Sequence, residues 1–414
     1  MSAVLQPETA EQALEAVQGA VAEARPLEVV GRASKRGLGR PIENATRLAL
    51  DRLSGISLYE PEELVLSAGP GTVLSEIEAL LAQRRQQLVF EPPDFGPLLG
   101  GDNGQGTLGG LLACNLAGPR RIKAGAARDH FLGFKAISGR GEAFKSGGRV
   151  VKNVTGYDLS KLLAGSYGTL AAFTDLTVKV LPAPEKTRTV LVYGLADDAA
   201  MTAMATAAGG ASEPTALAHL PGDVARQSAV TYVAGAGGAV TAMRLEGPGP
   251  SVSHRCAALR TMMGEYGDTE ELHGHNSETF WREIRDVTYF VAGSNQVWRL
   301  SVAPAQGAAV IGRIRQELDC RFFYDWAGGL IWLALAARAD AGADIIRRSV
   351  AVTGGHATLV RADAAIRATV PPFHPPPAAV AALSARIKAS FDPLGLLNPG
   401  RMTAADLPPA GEAG

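Results

Sequence analysis

The sequence is poor in cysteine: it has three, Cys114, Cys256 and Cys320, and no two stand at C-x-x-C spacing. That argues against an iron–sulfur cluster or a structural zinc held by this chain alone. It also argues against a disulfide framework and so favours a reducing compartment. An excess of either charge is lacking too. Forty basic residues face 41 acidic ones, a net charge of −1, so neither nucleic acid nor an anionic membrane is expected as a partner. The longest apolar stretch, residues 327–337, falls far short of the roughly 20 residues of a spanning helix. The N-terminus carries Glu8, Glu11 and Glu15 where a signal peptide would have a basic region and an apolar run. The expected location is cytoplasmic, with membrane association only peripheral and through partners.

What is present is an ordinary globular composition, 46% apolar and 20% charged over 414 residues, too long for one core and suited to two domains. Thr9 and Gln12 have capping-box spacing ahead of an apolar stripe at Ala13, Val17, Ala20, Val21 and Ala24, which predicts a helix. Residues 27–30, 48–50, 53–58 and 64–68 read as strands. A helix with Thr72 as N-cap and Val73, Ile77, Leu80 and Leu81 facing inward follows. A short helix is expected across 109–116, strands at 131–138 and at Val150-Val151, a helix at 159–164 and a closing strand at 170–181. Beyond Pro182-Ala183-Pro184 the pattern predicts strands at 190–193, 229–233, 239–245, 298–302 and 329–335, and helices at 199–208, 251–265 and 308–318. That order suggests a mainly antiparallel sheet with helices on one face. No internal repeat stands out. After the prolines of 371–377 comes a helix over 378–390.

Two loops carry phosphate-binding chemistry. Gly104-Gln105-Gly106-Thr107-Leu108-Gly109 fits G-x-G-x-x-G, and Asp129 follows at about the distance the dinucleotide fingerprint requires. That fingerprint must follow a buried strand directly, and Phe95 to Asn103, with three glycines and a proline, is no strand. A Rossmann site is therefore set aside, and the absence of G-x-x-x-x-G-K-[ST] sets aside a P-loop. Glycines still let backbone N–H groups close around an anion, Thr107 adds a hydroxyl, and a helix starting at Gly109 would aim its positive end at the phosphates. Alone, the segment reads equally well as a glycine-rich surface loop. The second loop, Gly31-Arg32-Ala33-Ser34-Lys35-Arg36-Gly37-Leu38-Gly39, places three cations and a serine among glycines after a short buried strand, and its plain alternative is a solvated basic turn. With the Pro70-Gly71-Thr72 turn, the two loops support each other.

Other candidates are weaker. His273-Gly274-His275 could contribute two metal ligands, yet Gly-His-Asn-Ser reads as an exposed loop, and no metal site is expected. His130 reads as a hydrogen-bonded structural histidine rather than a ligand contact. Cys114 reads as core packing. Lys152, Asn153 and Tyr157 form the best polar cluster. A cation there could stabilise negative charge on a bound group and Tyr or Asn could orient an acid substrate; an ordinary strand-to-helix connection with polar caps fits as well. Phe280-Trp281-Arg282 and Trp298-Arg299 suit a core or a subunit interface.

These pieces, in this order, resemble the FAD-binding domain of the vanillyl-alcohol oxidase (PCMH-type) superfamily over residues 1 to about 183 and again near 391–402. More narrowly they resemble the FAD-binding E subunits of bacterial glycolate oxidases. The resemblance rests on Gly118-Pro119-Arg120-Arg121, on Ala126-Ala127-Arg128-Asp129, on the long string from Gly148 to Leu159, on Leu163 to Leu170, and on Asp392-Pro393 with Asn398-Pro399-Gly400-Arg401. It implies an α+β fold: a two-subdomain FAD-binding domain (1–184), a ferredoxin-like cap (185–372) and a C-terminal segment returning to the FAD domain (373–414). It places Gly31, Arg32, Ala33, Ser34 and Lys35 at the pyrophosphate. Pro70, Gly71 and Thr72, with Gly106, Thr107, Leu108, Gly109 and Gly110, would line the diphosphate and ribityl side. Arg128 and Asp129 would sit near the flavin or adenosine, and Gly168, Thr169 and Leu170 on the adenine side. Lys152, Asn153 and Tyr157 would lie nearer the isoalloxazine, as catalytic candidates.

Relatives that attach FAD covalently use a histidine in the first loop. This loop has neither histidine nor cysteine, so the FAD is expected to be non-covalent. The implied activity is oxidation of glycolate or another 2-hydroxy acid, with hydride passing to the flavin and electrons to an iron–sulfur subunit (F-like) beside a second FAD subunit (D-like). The histidine-rich metal and substrate motif of the D-like chains is not found. A non-catalytic flavin scaffold or electron relay, or a stand-alone FAD oxidoreductase, are the rival expectations.

Overall fold

The structure, a computed structural model, describes residues 4–148 and 156–404. The chain divides into two compact units, the first made of residues 1–116, 126–182 and 371–414 and the second of 117–125 and 183–370.

The first unit opens with the helix Ala10–Ala22. Thr9 caps it, its hydroxyl accepting the Gln12 N–H at 3.2 Å while Gln12 Oε1 accepts the Glu8 N–H at 2.7 Å. Ala13, Val17 and Ala20 form its buried stripe and pack with Leu27 and Leu48. Leu27 lies on β2 (Leu27–Val30) and Leu48 on β3 (Thr46–Ala49), which with β1 (Val4–Leu5) form a parallel sheet of order β1-β3-β2. The other layer is antiparallel, in the order β4-β5-β9-β7-β8: β4 (Ile56–Glu60), β5 (Val65–Ala68), β7 (Phe131–Ser138), β8 (Ala143–Gly147) and β9 (Ala171–Lys179). A small pair, β6 (Gln86–Gln87) with β10 (Leu181–Pro182), sits beside it. The C-terminal segment returns to this unit: Leu397 bridges Leu27 in parallel.

Three local expectations change. The helix Leu74–Gln83 starts after Val73, not Thr72; the Thr72 hydroxyl instead accepts the Gly55 N–H at 2.9 Å and donates to the Gly55 carbonyl at 3.2 Å, pinning a neighbouring turn. The strand expected over 53–58 begins at Ile56, because residues 51–54 form a turn and a break. The glycine-loop helix spans Leu108–Cys114 and ends on Asn115 in the left-handed conformation, φ 50°. Val150-Val151 lies outside the described residues.

The second unit carries a duplication that the sequence does not display. β11 (Lys186–Tyr193), the helix Asp197–Gly209, β12 (Ala216–Leu220), β13 (Val240–Gly247), the helix Gly249–Met263 and β14 (Thr269–His273) form one βαββαβ unit. β15 (Gln296–Ser301), the helix Gly307–Arg315, β16 (Arg321–Asp325), β17 (Leu330–Leu335), the helix Ala343–Ala351 and β18 (His356–Arg361) form a second. Their strands join in one antiparallel sheet, β14-β11-β13-β12-β16-β17-β15-β18, so each half has the ferredoxin-like order and the halves meet at His219 opposite Tyr324. Residues from all four helices and both halves of the sheet share one core, among them Met204, Leu259, Trp298, Ile311 and Ile346. The strand expected at 229–233 is instead the end of a loop and the single turn Thr231–Ala234; the true strand, Ala216–Leu220, is buried throughout and so lacks an alternating pattern.

The resemblance motif Gly118-Pro119-Arg120-Arg121 is structural in this unit. Arg120 makes a bidentate pair with Glu246 at 2.8 and 2.6 Å, Arg121 lies 4.6 Å from the Trp326 ring, and the Trp326 indole donates to the Gly118 carbonyl at 3.1 Å. Burial pushes the Glu246 carboxyl up, but Arg244, Arg120 and the Thr215 hydroxyl together outweigh it and bring it down to about 2. A depressed carboxylate contributes stability that is full above its unfolded value of about 4.5 and is lost as pH falls through its folded one. Urea unfolding followed from pH 5 to pH 2 is therefore expected to show a steep loss of stability in this unit, and Glu246→Gln should flatten that slope. An unchanged slope would show that Glu246 is not the linked group.

Candidate functional site

Strand β2 delivers the chain into a cavity of the first unit that is partly open to solvent. Val29, Val30 and the loop Gly31–Arg36 form one wall. The loop is wound tightly: Arg36 N–H bonds the Ala33 carbonyl at 3.1 Å and Leu38 N–H the Lys35 carbonyl at 3.0 Å. Gly31 is needed where it stands, since a Cβ there would meet the Thr107 hydroxyl at 2.5 Å.

The adjoining wall is the second glycine loop, zipped onto the Pro70 turn. Leu74 N–H bonds the Gly106 carbonyl at 2.9 Å, Leu108 N–H the Thr72 carbonyl at 3.0 Å, and Gly109 N–H the Pro70 carbonyl at 2.9 Å. Thr107 caps the following helix, its hydroxyl 3.3 Å from the Gly110 N–H. Tyr167 and Gly168 close the third side, both at positive φ (53° and 70°). Leu50, Ala113, Cys114, Ala171 and Phe173 also line the cavity.

Lys35 dominates the electrostatics. Burial pushes its ammonium down from the ordinary lysine value, opposed by Cys114 and Asp94. Ideal Cβ positions at Gly106 and Gly110 lie 3.5 and 3.8 Å from its Nζ, so the ammonium sits against the glycine loop. Among the described residues no hydrogen bond or ion pair satisfies it, and Asp94 acts on it only at a distance, so taking this ammonium from water is unfavourable. The arrangement fits a diphosphate: a cation, hydroxyls at Ser34 and Thr107, and close-approach glycines on both sides. Burial also pushes the Cys114 thiol up to about 11, so it is protonated at neutral pH and a poor nucleophile. It lines the cavity, where core packing was expected.

Gly31, Arg32, Ala33, Ser34, Lys35, Pro70, Thr107, Gly109, Gly110 and Gly168 thus converge on one cavity. Gly71, Thr72, Gly106, Leu108, Thr169 and Leu170 do not line it; Thr72, Leu108, Thr169 and Leu170 are buried. Arg128 and Asp129 do not line it either. Asp129 accepts the Ala126 N–H of its own turn at 2.8 Å, and Arg128 N–H is held by Asn115 Oδ1 at 3.0 Å. Tyr157 is 89% exposed, and Lys152 and Asn153 lie outside the described residues. His273 and His275 are exposed, and among the described residues no group of three or more His, Cys, Asp or Glu side chains could hold a metal. No helix among them is long and apolar enough to cross a membrane. Asn398 and Arg401 also line the cavity; their Asn-Pro-Gly-Arg motif is visible in the sequence, but which wall it touches is not.

Residues 1–147 match the protein family described as FAD binding domain. The chain is 34% identical over 392 residues to the glycolate oxidase subunit GlcE of Escherichia coli, covering 94% of this chain and 96% of that one. It is 31% identical over 163 residues to the glycolate oxidase subunit GlcD of Bacillus subtilis, 39% of this chain and 33% of that one. The fold matches 4-ethylphenol oxidase from Gulosibacter chungangensis with a TM-score of 0.71 at 15% identity, covering 98% of this chain and 89% of that one. With a PCMH-type fold and near full-length similarity to GlcE, the chain belongs to the GlcE family of FAD-linked oxidoreductases.

Proposed function

We propose that this chain is the FAD-holding subunit of a glycolate (2-hydroxy acid) oxidase that works in a complex with a D-like FAD subunit and an F-like iron–sulfur subunit. The observation that carries the reading is the Lys35 ammonium, set against the glycine loop of a cavity in a chain similar to GlcE over nearly its whole length. Lys35, Ser34, Thr107 and the glycines Gly31, Gly109 and Gly110 would hold the diphosphate, and the Tyr167–Gly168 turn would border the adenine side. The flavin, when bound, supplies an acceptor for two electrons that can be released one at a time. Non-covalent FAD is supported by a cavity lining without histidine and by the protonated Cys114 thiol.

Anaerobic flavin spectroscopy tests this on the chain purified alone and with its D-like and F-like partners. The complex is expected to bleach with glycolate, and acid precipitation of the isolated chain should release free FAD into the supernatant. A colourless protein that takes up no added FAD would refute the reading, and flavin left in the pellet would refute non-covalent binding. Flavin that binds here but stays oxidised while the D-like subunit's flavin bleaches would turn the assignment to a relay or scaffold.

A further inference from the structure

The segment from Asp392 to Met402 does more than return to the first unit. The Asn398 amide is 3% exposed and joins two cavity walls: Oδ1 accepts the Val29 N–H at 2.7 Å, and Nδ2 donates to the Tyr167 carbonyl at 2.7 Å and the Val29 carbonyl at 3.3 Å. The buried Arg401 guanidinium grips the other arm of the first glycine loop. Its Nη1 donates to the carbonyls of Arg36, Leu38 and Arg40 at 3.0, 3.1 and 3.2 Å, and its Nη2 to Glu28 at 3.2 Å. Glu28, itself buried, also takes a bidentate pair from Arg36 at 2.7 and 2.9 Å. The loop is thus tied at its start, middle and end to residues far along the chain.

Two glycines make room for this grip. Gly168, φ 70°, would place a Cβ 2.7 Å from Asn398 Nδ2; Gly39, φ 76°, would place one 2.8 Å from the Arg401 carbonyl and 2.9 Å from Arg401 Cδ. Asp392 fixes the segment in turn, accepting the Leu396 and Leu397 N–H groups at 2.9 and 2.8 Å and the Lys388 ammonium at 2.6 Å.

We propose that Asn398 and Arg401 are positioning residues that hold the cofactor cavity in its binding shape before the cofactor arrives. A loop already ordered loses less conformational entropy on binding a ligand. The three carbonyls and the carboxylate that Arg401 ties down make a fork that a lysine cannot reproduce. The inference rests on the FAD reading for its ligand only, since the shape of the empty cavity can be measured without one.

The test compares Arg401→Lys, Asn398→Asp and Gly168→Ala with the parent chain, none of which empties the core. In hydrogen exchange on the FAD-free proteins, peptides covering residues 29–40 and 165–170 are expected to lose protection by tenfold or more, while the strands of the second unit keep theirs. FAD titration should then show an affinity weakened at least tenfold, with a larger entropic penalty by calorimetry. Unchanged exchange in both peptides would overturn the proposal, as would loosened loops with unaltered FAD affinity. Uniform loss of protection across both units would also overturn it, marking the contacts as general scaffolding. If the parent chain binds no FAD, the FAD reading fails, and the exchange result alone decides whether these residues shape the cavity.

Discussion

Gly109→Val is expected to abolish FAD binding while leaving the second unit folded. A Cβ at this position would stand 2.7 Å from Pro70 Cβ and 2.8 Å from the Pro70 carbonyl oxygen, and the branched valine adds two methyl groups to that clash. Nothing flexible lies in the way: the neighbour is proline and backbone, and the same carbonyl accepts the Gly109 N–H. Relief requires the glycine loop to peel from the Pro70 turn, which breaks the hydrogen bonds aligning Gly106 to Gly110 with the cavity. Overpacking of this kind costs about 1–3 kcal/mol, and here the strain falls on the wall itself. Gly110→Ala provides the graded comparison, because its Cβ would meet only the Thr107 hydroxyl at 3.3 Å and approach the Lys35 ammonium at 3.8 Å. Flavin fluorescence quenching on titration should show no saturable binding for Gly109→Val and weakened but measurable binding for Gly110→Ala. Stoichiometric flavin in purified Gly109→Val would reject the loop as part of the site.

The parts of this site that were legible in the sequence are those whose reasons are local. Glycine spacing marks both loops in the sequence, although the neighbours that demand glycine at Gly31 and Gly109, Thr107 and Pro70, lie far along the chain. A cation and a hydroxyl among glycines suit a phosphate at Lys35 and Ser34, and a solvated basic turn has the same local pattern. The Rossmann alternative failed on a local criterion too, the absence of a strand before Gly104.

What stayed hidden depends on distance along the chain. Asn398 acts on Val29 and Tyr167, and no periodicity or spacing near residue 398 encodes those partners. The duplication was invisible because its two halves repeat a topology and a burial pattern with different side chains: Val190 and Val192 fill core positions in one half, Trp298 and Leu300 in the other. Ala216–Leu220 lacks a strand signature because a strand buried on both faces does not alternate, and its one polar residue, His219, turns its Nδ1 to Thr241 at 2.8 Å. Thr72 was misassigned because a threonine ahead of a helix has the same sequence signature whether it caps that helix or pins the turn at Gly55.

Lys35→Met separates the electrostatic part of the site from its shape. Methionine is unbranched and of similar length, so the wall remains filled while the charge is removed. A hydrogen bond to a charged group is worth about 1.5–3 kcal/mol, so FAD affinity is expected to fall roughly 10- to 150-fold, and isothermal titration at pH 8 measures it. The pH dependence is the sharper test. In the FAD-free protein burial holds the Lys35 ammonium below the ordinary lysine value of 10.5, and a bound diphosphate would raise it again, so binding takes up a proton. Affinity should therefore weaken as pH rises through the depressed value toward 10.5. The stability of the FAD-free protein should move the other way: over the same window the unfolded chain binds more protons at this lysine than the folded one, so folding gains as pH rises. In Lys35→Met both slopes should flatten, and the FAD-free protein should be more stable than the parent at neutral pH, because the desolvation that outweighs the attraction of Asp94 is relieved. A parent chain whose FAD affinity is level across this window, or a Lys35→Met protein that binds FAD as tightly as the parent, would remove Lys35 from the diphosphate site and leave the glycine loops to hold it by backbone N–H groups alone.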